Sequence, residues 1–270
     1  MESSRMRIAA KPVFSLIFVN YRSADALAAS LASLADEVVG GYAEMIVVNN
    51  DPSERASLSR LADQFPIRIV DLGENVGFGA ASNRGAREAG AELLGFLNPD
   101  TRLVRGSLRE VAGYFDGDDR AGIAGAALVD PDGKPEPWSA GPDATLFRIF
   151  VNNLSLFRGA PPRDGTPTAV DFVSGAAFFT RKSLFDKLGG FDERFFLYFE
   201  DMDLCRRAGI AGYDTVRLPA PVFAHEGGTS RSSAAEQKRH YYESQDRYFG
   251  KHRPKWEGGV LKFLRRRFIR

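Results

Sequence analysis

The chain has 270 residues, 44% of them hydrophobic, which is enough for one large domain or two small ones with a sizeable core. Its 36 Lys plus Arg nearly balance 35 Asp plus Glu, which argues against a dedicated nucleic-acid binder. A single cysteine, Cys205, excludes an internal disulfide framework and a cysteine-based zinc cluster, and it reads as core or helix filler.

The first hundred residues alternate short apolar runs with helix-like stretches. A strand is expected at 13–19 and a helix at 24–35, where Leu27, Leu31 and Leu34 recur at helical spacing. Then come a strand at 44–50, a helix at 53–64, a strand at 67–72, a helix at 79–90, and a strand at 92–100 that runs into a loop. Such alternation implies an α/β fold with a parallel sheet covered on both faces. In these sheets ligands bind beyond the carboxyl ends of the strands. The residues there are Asn20, Tyr21, Asn49 to Asp51, Gly73 to Gly79 and Asn98 to Asp100.

After residue 105 the pattern changes. A helix is expected at 105–116, a strand at 121–129, a turn at 130–137, an amphipathic stretch at 144–157, a Pro/Gly/Asp-rich loop at 158–168, a strand at 169–180 and a helix at 181–188. A second half that continues the same sheet with mixed strands is favoured over an independent domain. The longest apolar runs, at 14–19 and 172–179, are far shorter than the roughly 20 residues that span a bilayer. Arg5, Arg7 and Lys11 precede no signal-peptide core, so a cytoplasmic protein is expected.

Three constellations carry chemistry. In "FLNPDT" (96–101), Asp100 ends an apolar strand in a proline turn, either as a simple turn that caps the next helix or as a hard ligand for Mg²⁺ or Mn²⁺. In "ENVGFGAASNRG" (74–85), glycines lie between a strand and a helix, where they either permit a tight turn or bring backbone close to a diphosphate. Read as a dinucleotide fingerprint from Gly77 and Gly79 the stretch fails, because Ser82 stands where the third glycine or alanine should be.

The third constellation is "FFLYFEDMDL" (195–204), acids behind aromatics. Asp201 reads as a helix N-cap, Asp203 as a first-turn residue favoured by the dipole, and Gly209 as the helix stop. Glu200 and the aromatics stay unexplained by that reading. An Asp in partly apolar surroundings beside other acids would be raised toward a useful general base. His225 reads either as a satisfied core residue or as a metal ligand.

Taken in order, these strings resemble a family 2 glycosyltransferase with the GT-A fold, and especially its rhamnosyltransferase-like branch. The matching stretches are 17–22, 46–54, 74–85, 96–101, 174–213 and 224–231, of which the long glycine-to-acid block 174–213 is the most specific. The resemblance implies a single domain over 1–270, with a nucleotide-binding half (13–104), an acceptor and catalytic half (105–231) and a helical tail (232–270). It also implies inverting transfer of a sugar, commonly L-rhamnose from dTDP-L-rhamnose or a UDP-sugar such as galactofuranose, to a glycan or lipid-linked glycan in cell-surface polysaccharide synthesis.

By position, the resemblance puts Asn20, Tyr21 and Asn49 at the nucleobase, and Asn75, Phe78 and Asn83 near the ribose and diphosphate. Asp100 falls on the last acid of the metal motif, with His225 as a second ligand for Mg²⁺ or Mn²⁺. Asp201 falls on the catalytic base, with Glu200 and Tyr198 beside it as acceptor or supporting contacts. Two positions depart from the family pattern, Asn49 and Asn98, where acids are common. The rival readings are a nucleotide-binding oxidoreductase with its dinucleotide at Gly77 and Gly79, and an inactive transferase relative that serves as a binding partner. The stretch 255–270 mixes apolar and basic residues, and reads either as a helix on an anionic membrane surface or as one packed on its own domain.

Overall fold

A computed structural model describes residues 11–153, 165–227 and 233–268. The end of the amphipathic stretch (154–157), most of the expected loop (158–164), the last part of the 224–231 string, Arg5, Arg7 and residues 269–270 lie outside the described residues.

In chain order the first elements are β1 (Phe14–Asn20), α1 (Ala24–Ser33), α2 (Ala35–Val39), β2 (Ala43–Asn49), α3 (Arg55–Ala62), β3 (Ile67–Asp71), α4 (Phe78–Glu88) and β4 (Leu93–Leu97). There follow β5 (Thr101–Arg105), α5 (Leu108–Asp116), β6 (Ala121–Val129), β7 (Ala140–Gly141), α6 (Leu146–Asn153), β8 (Thr168–Ala169), β9 (Phe172–Val173) and β10 (Ala177–Arg181). The last are α7 (Lys182–Lys187), α8 (Glu200–Ile210), β11 (Asp214–His225), α9 (Ala234–His252) and α10 (Lys255–Phe268).

Among the described residues the main sheet has nine strands, in the order β3-β2-β1-β4-β10-β6-β11-β5, with β8 beside β11. β3, β2, β1 and β4 run parallel, as strands joined by helical crossovers must. Register aligns their polar ends, Asn20 beside Asn49 and Asn49 beside Asp71. β10 then enters antiparallel between β4 and β6, and β5 pairs antiparallel with β11. The second half thus extends the same sheet with mixed strands.

Period-two alternation sorts β1 between two cores. Leu16 and Phe18 pack with Leu27 and Leu31 of α1 and Leu58 of α3, whereas Ile17 and Val19 pack with Ala81 and Ala86 of α4 and Leu204 of α8. All seven β1 residues are buried, which is why the run reads as continuously apolar. A third cluster joins Phe195 and Phe199, ahead of α8, to Tyr248 and Phe249 of α9 and Leu261 of α10.

Two expectations are corrected here. The strand expected at 169–180 is broken into β8, β9 and β10. A strand, β5, precedes the helix expected from 105, and that helix starts only at Leu108, behind a capping box of Ser107 and Glu110. β5 is half exposed and is held by the distant β11, so its own sequence carries little signal.

Candidate active site

Strand order reverses between β1 and β4, so the polar ends of the first four strands border one crevice. Several residues expected to line it turn inward instead. Asn20 is wholly buried, with Nδ2 donating to Glu54 Oε2 at 2.9 Å and Oδ1 accepting from Ser23 Oγ at 3.1 Å. The same Glu54 oxygen accepts the backbone N–H groups of Ser23 (2.8 Å) and Ala24 (3.0 Å), and so fastens the start of α1. Asn49 donates to Asp71 Oδ1 at 2.6 Å and accepts from the Asp51 N–H. A carboxylate therefore stands beside Asn49, supplied by the end of the next strand. Sequence reasoning missed these roles of Glu54, which closes the short 3-10 turn after β2, and Asp71, which ends β3. Tyr21 is half-buried, with the Arg22 guanidinium 5.0 Å from its ring centroid.

The glycine-rich loop is built against the acidic block. Asn75 accepts from Asn50 Nδ2 (2.8 Å) and from the Gly77 N–H, and Asn50 accepts the Val76 N–H in return. Gly77 has φ +87°, and an added Cβ would lie 2.4 Å from the Phe196 carbonyl oxygen, which itself accepts the Phe78 N–H at 2.8 Å. Only glycine fits there. Asn83 pairs with both backbone groups of Phe191, as donor and acceptor at 2.9 Å. Gly190, at φ +72°, passes so close to Asn83 that a Cβ would sit 2.5 Å from its oxygen. Asn83 is thus a brace between α4 and the approach to α8. A Cβ at Gly77 or Gly79 would meet Phe196, Phe191 or Glu200, so both glycines serve the close packing of this loop on the acidic block.

Asp100 and His225 come together, as the strands adjoining them require. Thr101 is in register with His225 in the β5–β11 pair, placing Asp100 Oδ1 3.3 Å from His225 Nε2. His225 Nδ1 lies 2.9 Å from Glu136 Oε2, and Asn98 Nδ2 lies 3.3 Å from Nε2. Burial works against an imidazolium here, but the hydrogen bonds and charges of Asp100 and Glu136 together push His225 up to about 10. The cluster demands a positive charge. Without a metal ion that charge is a proton on Nε2 facing Asp100; were an ion to replace the proton, Glu136 would hold Nδ1–H and leave the Nε2 lone pair to the ion, the usual support for a metal-bound histidine. Two ligands roughly 3 Å apart suit one hexacoordinate ion with bonds of about 2.1 Å. Among the described residues no group of three His, Cys, Asp or Glu forms a complete cage. An ion would therefore draw its remaining oxygens from substrate and water.

α8 begins at Glu200, not after Asp201, and its N-cap is Phe199 without a side-chain cap. Tyr198 and Phe199 both adopt left-handed backbone, φ +70° and +68°. Such residues cost of order 1–3 kcal/mol each and persist where packing over-determines them. Here Phe199 is wedged against Tyr241 (5.4 Å) and Tyr248 (5.5 Å), and Tyr198 lies edge-on to Tyr241.

Asp201 keeps part of its surface open, and both its oxygens accept backbone N–H groups, Oδ1 from Met202 (2.7 Å) and Oδ2 from Gly175 (2.8 Å). Burial of its carboxyl raises Asp201 above the usual range, while the N–H groups pull it back. The next residue after Gly175, Ala176, accepts the Asn98 N–H at 3.1 Å, so one short segment ties Asp201 to the Asp100 loop. Glu200 is buried (4% exposed), Oε2 has no partner, and desolvation with the neighbouring Asp201 charge holds it well above the carboxylate range. Burial thus disfavours the charged form of Glu200, whereas the Asp201 carboxylate beside it is supported by two backbone N–H groups.

The family model for Glycosyl transferase family 2 matches residues 15–189. The chain belongs to glycosyl transferase family 2. This transferase is 30% identical over 88% of its length to an N-acetylglucosaminyl-diphospho-decaprenol L-rhamnosyltransferase of Mycobacterium tuberculosis, covering 86% of that protein. It is 28% identical over 72% of its length to the low-salt glycan biosynthesis hexosyltransferase Agl10 of Haloferax volcanii, of which it spans 61%. Its fold is GT-A: GalNAc-T7, solved with UDP, GalNAc and Mn²⁺, superposes on 96% of the chain with TM-score 0.65 and 14% identity, although the chain spans 54% of that protein.

Family 2 membership leaves the back of α8 unexplained, and the structure corrects the sequence there. Asp203 is no surface dipole residue. It is fully buried and gathers Arg207 Nε (2.7 Å), Lys251 Nζ (2.6 Å) and His252 Nε2 (2.7 Å), binding α9 to α8. Nor does Gly209 end the helix, which runs to Ile210 ahead of Gly212 at φ +87°. Asp143, before α6, adds ion pairs to Arg206 of α8 and Arg253, and a hydrogen bond from Tyr248. Cys205 is core filler, as expected, 2% exposed and with its thiol pushed up by burial.

Proposed function

We propose that this family 2 transferase moves L-rhamnose from dTDP-L-rhamnose to a hydroxyl of a glycan or lipid-linked glycan acceptor, with inversion at the anomeric carbon, in cell-surface polysaccharide synthesis. The observation that carries the chemistry is the pairing of two unlike centres through residues 175–176. One, Asp100–His225–Glu136, gathers two carboxylates around an imidazole and suits a cation; the other, Asp201, is a carboxylate of a half-buried residue, fixed by two backbone N–H groups. L-Rhamnose is favoured by the 30% identity to the mycobacterial enzyme.

In this reading Asp100 and His225 would hold Mg²⁺ or Mn²⁺, which would supply Lewis-acid stabilisation of charge on the departing diphosphate. Asp201 accepts the proton of the acceptor hydroxyl as its oxygen forms a bond to the anomeric carbon. The bond from that carbon to the diphosphate breaks on the opposite face, and dTDP leaves. Residues 13–104 handle the nucleotide, with Tyr21 and Asp71 beside the base and Asn75 and Phe78 shaping the diphosphate loop. Asn20, Asn49 and Asn83 act by bracing. Residues 105–231 serve the acceptor, with Tyr198 on its wall.

A donor screen across dTDP-, UDP- and GDP-sugars with Mg²⁺ or Mn²⁺, read out as sugar transfer or hydrolysis, tests the proposal. Turnover of dTDP-L-rhamnose is expected, and Asp100→Ala should weaken metal-dependent donor binding by about tenfold or more. Turnover of only a UDP-sugar such as UDP-galactofuranose would replace the donor. Donor binding that is equally metal-dependent in Asp100→Ala would remove Asp100 from the ion.

A further inference from the structure

α10 carries three sectors, spaced at about 100° per residue. One sector packs. Leu261 is buried in the cluster with Phe199 and Tyr248, Arg265 bonds Gln245 and Asp246 at 2.8 Å and covers the Tyr242 ring, and Glu257 faces Arg253. A second sector, Trp256, Val260 and Phe263, lies within roughly 60° on another side, and these residues are 63%, 38% and 67% exposed. Next to it, roughly 100° away, a third sector groups Lys255, Lys262 and Arg266, all exposed. Lys262 lies 3.9 Å from Asp246 and keeps 59% of its side chain open. The packing reading and the surface reading of 255–270 therefore apply to different sides of one helix.

The exposed apolar side does not stand alone. Phe147 of α6 is 74% exposed, and a groove of about 460 Å³ between the helices is lined by Leu146, Phe147, Trp256 and Leu264. Arg148, exposed beside Phe147, adds another cation. The only acid on the described part of α10 is Glu257, which lies at the edge of the groove, where it faces Arg253 and accepts the Leu146 N–H, so its charge is partnered. Wide exposed apolar faces mark interaction sites, and tryptophan with a flanking row of Lys and Arg suits the headgroup boundary of an anionic bilayer. A second copy of the chain would set like charges against each other.

We propose that α6 and α10 together form a docking face for an anionic lipid surface. The face is one layer from the reacting acid. Leu146 and Ile149 of α6 and Leu261 of α10 belong to the cluster that contains Phe199 and Met202, the residues on either side of Glu200 and Asp201. Docking would thus hold the acceptor side of the crevice at the bilayer and select a lipid-linked acceptor over a soluble one. That last consequence rests on the transferase reading; the docking itself does not.

The test uses the full chain with vesicles of phosphatidylcholine alone or mixed with phosphatidylglycerol, by co-sedimentation and by Trp256 emission in a Trp138→Phe background. Binding to the anionic vesicles is expected, with a blue shift, weakening as salt rises. Trp256→Glu with Phe263→Glu should cut partitioning by about tenfold or more, and Lys255→Glu, Lys262→Glu and Arg266→Glu together by about as much. Melting curves check that both variants stay folded. Failure to bind either vesicle, or unchanged partitioning of both folded variants, overturns the proposal. So does a dimer that Phe263→Glu dissociates in a chain that ignores vesicles. Sugar transfer to a small soluble acceptor, measured on the same samples, separates the two readings. Transfer without vesicle binding sinks docking alone, whereas vesicle binding without turnover of any nucleotide sugar upholds docking and sinks the transferase reading.

Discussion

Replacing Asp201 by asparagine keeps the side chain's shape and turns one acceptor atom into a donor. Both carboxylate oxygens are in use, Oδ1 for the Met202 N–H at 2.7 Å and Oδ2 for the Gly175 N–H at 2.8 Å. An amide oxygen can serve only one of them, so its NH₂ must face the other N–H, donor against donor. A buried polar group left unpaired costs about 1–3 kcal/mol, which for a chain of this size lowers Tm by roughly 2–10 °C. Loss of a general base costs about 10²–10⁴ in rate. Asp201→Asn should therefore show a lowered Tm by calorimetry, a kcat reduced by that factor, and dTDP affinity within about twofold of wild type, because the nucleotide contacts lie elsewhere. Retention of transfer within about tenfold would dismiss Asp201 as the base. An unchanged Tm would show that the two N–H groups do not constrain it. Loss of dTDP binding would move Asp201 into the donor site.

Glu200→Gln and Asp203→Asn probe the flanking acids. Burial without a partner raises Glu200, so its stabilising contribution is fully present below the ordinary value of 4.5 and is lost as pH rises toward the folded value. Gln stays neutral throughout, so the variant's Tm should exceed wild type at neutral and alkaline pH and converge with it near about pH 4; a gap independent of pH would contradict a raised Glu200. Asp203→Asn strips two cations, Arg207 and Lys251, and the His252 imidazole of a fully buried carboxylate partner. It should cost about 3 kcal/mol, the low end for a broken buried pair, because Arg207 and Lys251 keep some access to water. Chemical denaturation measures it, and a loss below about 1 kcal/mol would mean that solvent screens the cluster.

The alternation of apolar runs and helical stretches in residues 13–97 was enough to give the parallel half of the sheet, because each strand buried on both faces writes itself as a continuous apolar run. Asp100 and Asp201 could be picked out as candidates, Asp100 at a strand end and Asp201 beside aromatics, and the structure ties both to residues 175–176. What stayed hidden was set by partners far along the chain. β5 is a strand because β11 pairs with it, and Glu136 supports His225 from 89 residues away. Asn20, Asn49 and Asn83 carry the residue types of ligand contacts, but each amide is spent inside the protein, on Glu54, Asp71 and Phe191. Asp203 looked like a dipole residue until α9 brought Lys251 and His252 onto it. Local sequence determines periodicity, turns and the supply of chemical groups. Only the tertiary structure decides which buried polar atoms satisfy one another and which, like Glu200 Oε2, are left without a partner, since a hydrogen bond needs its partner in space rather than in sequence.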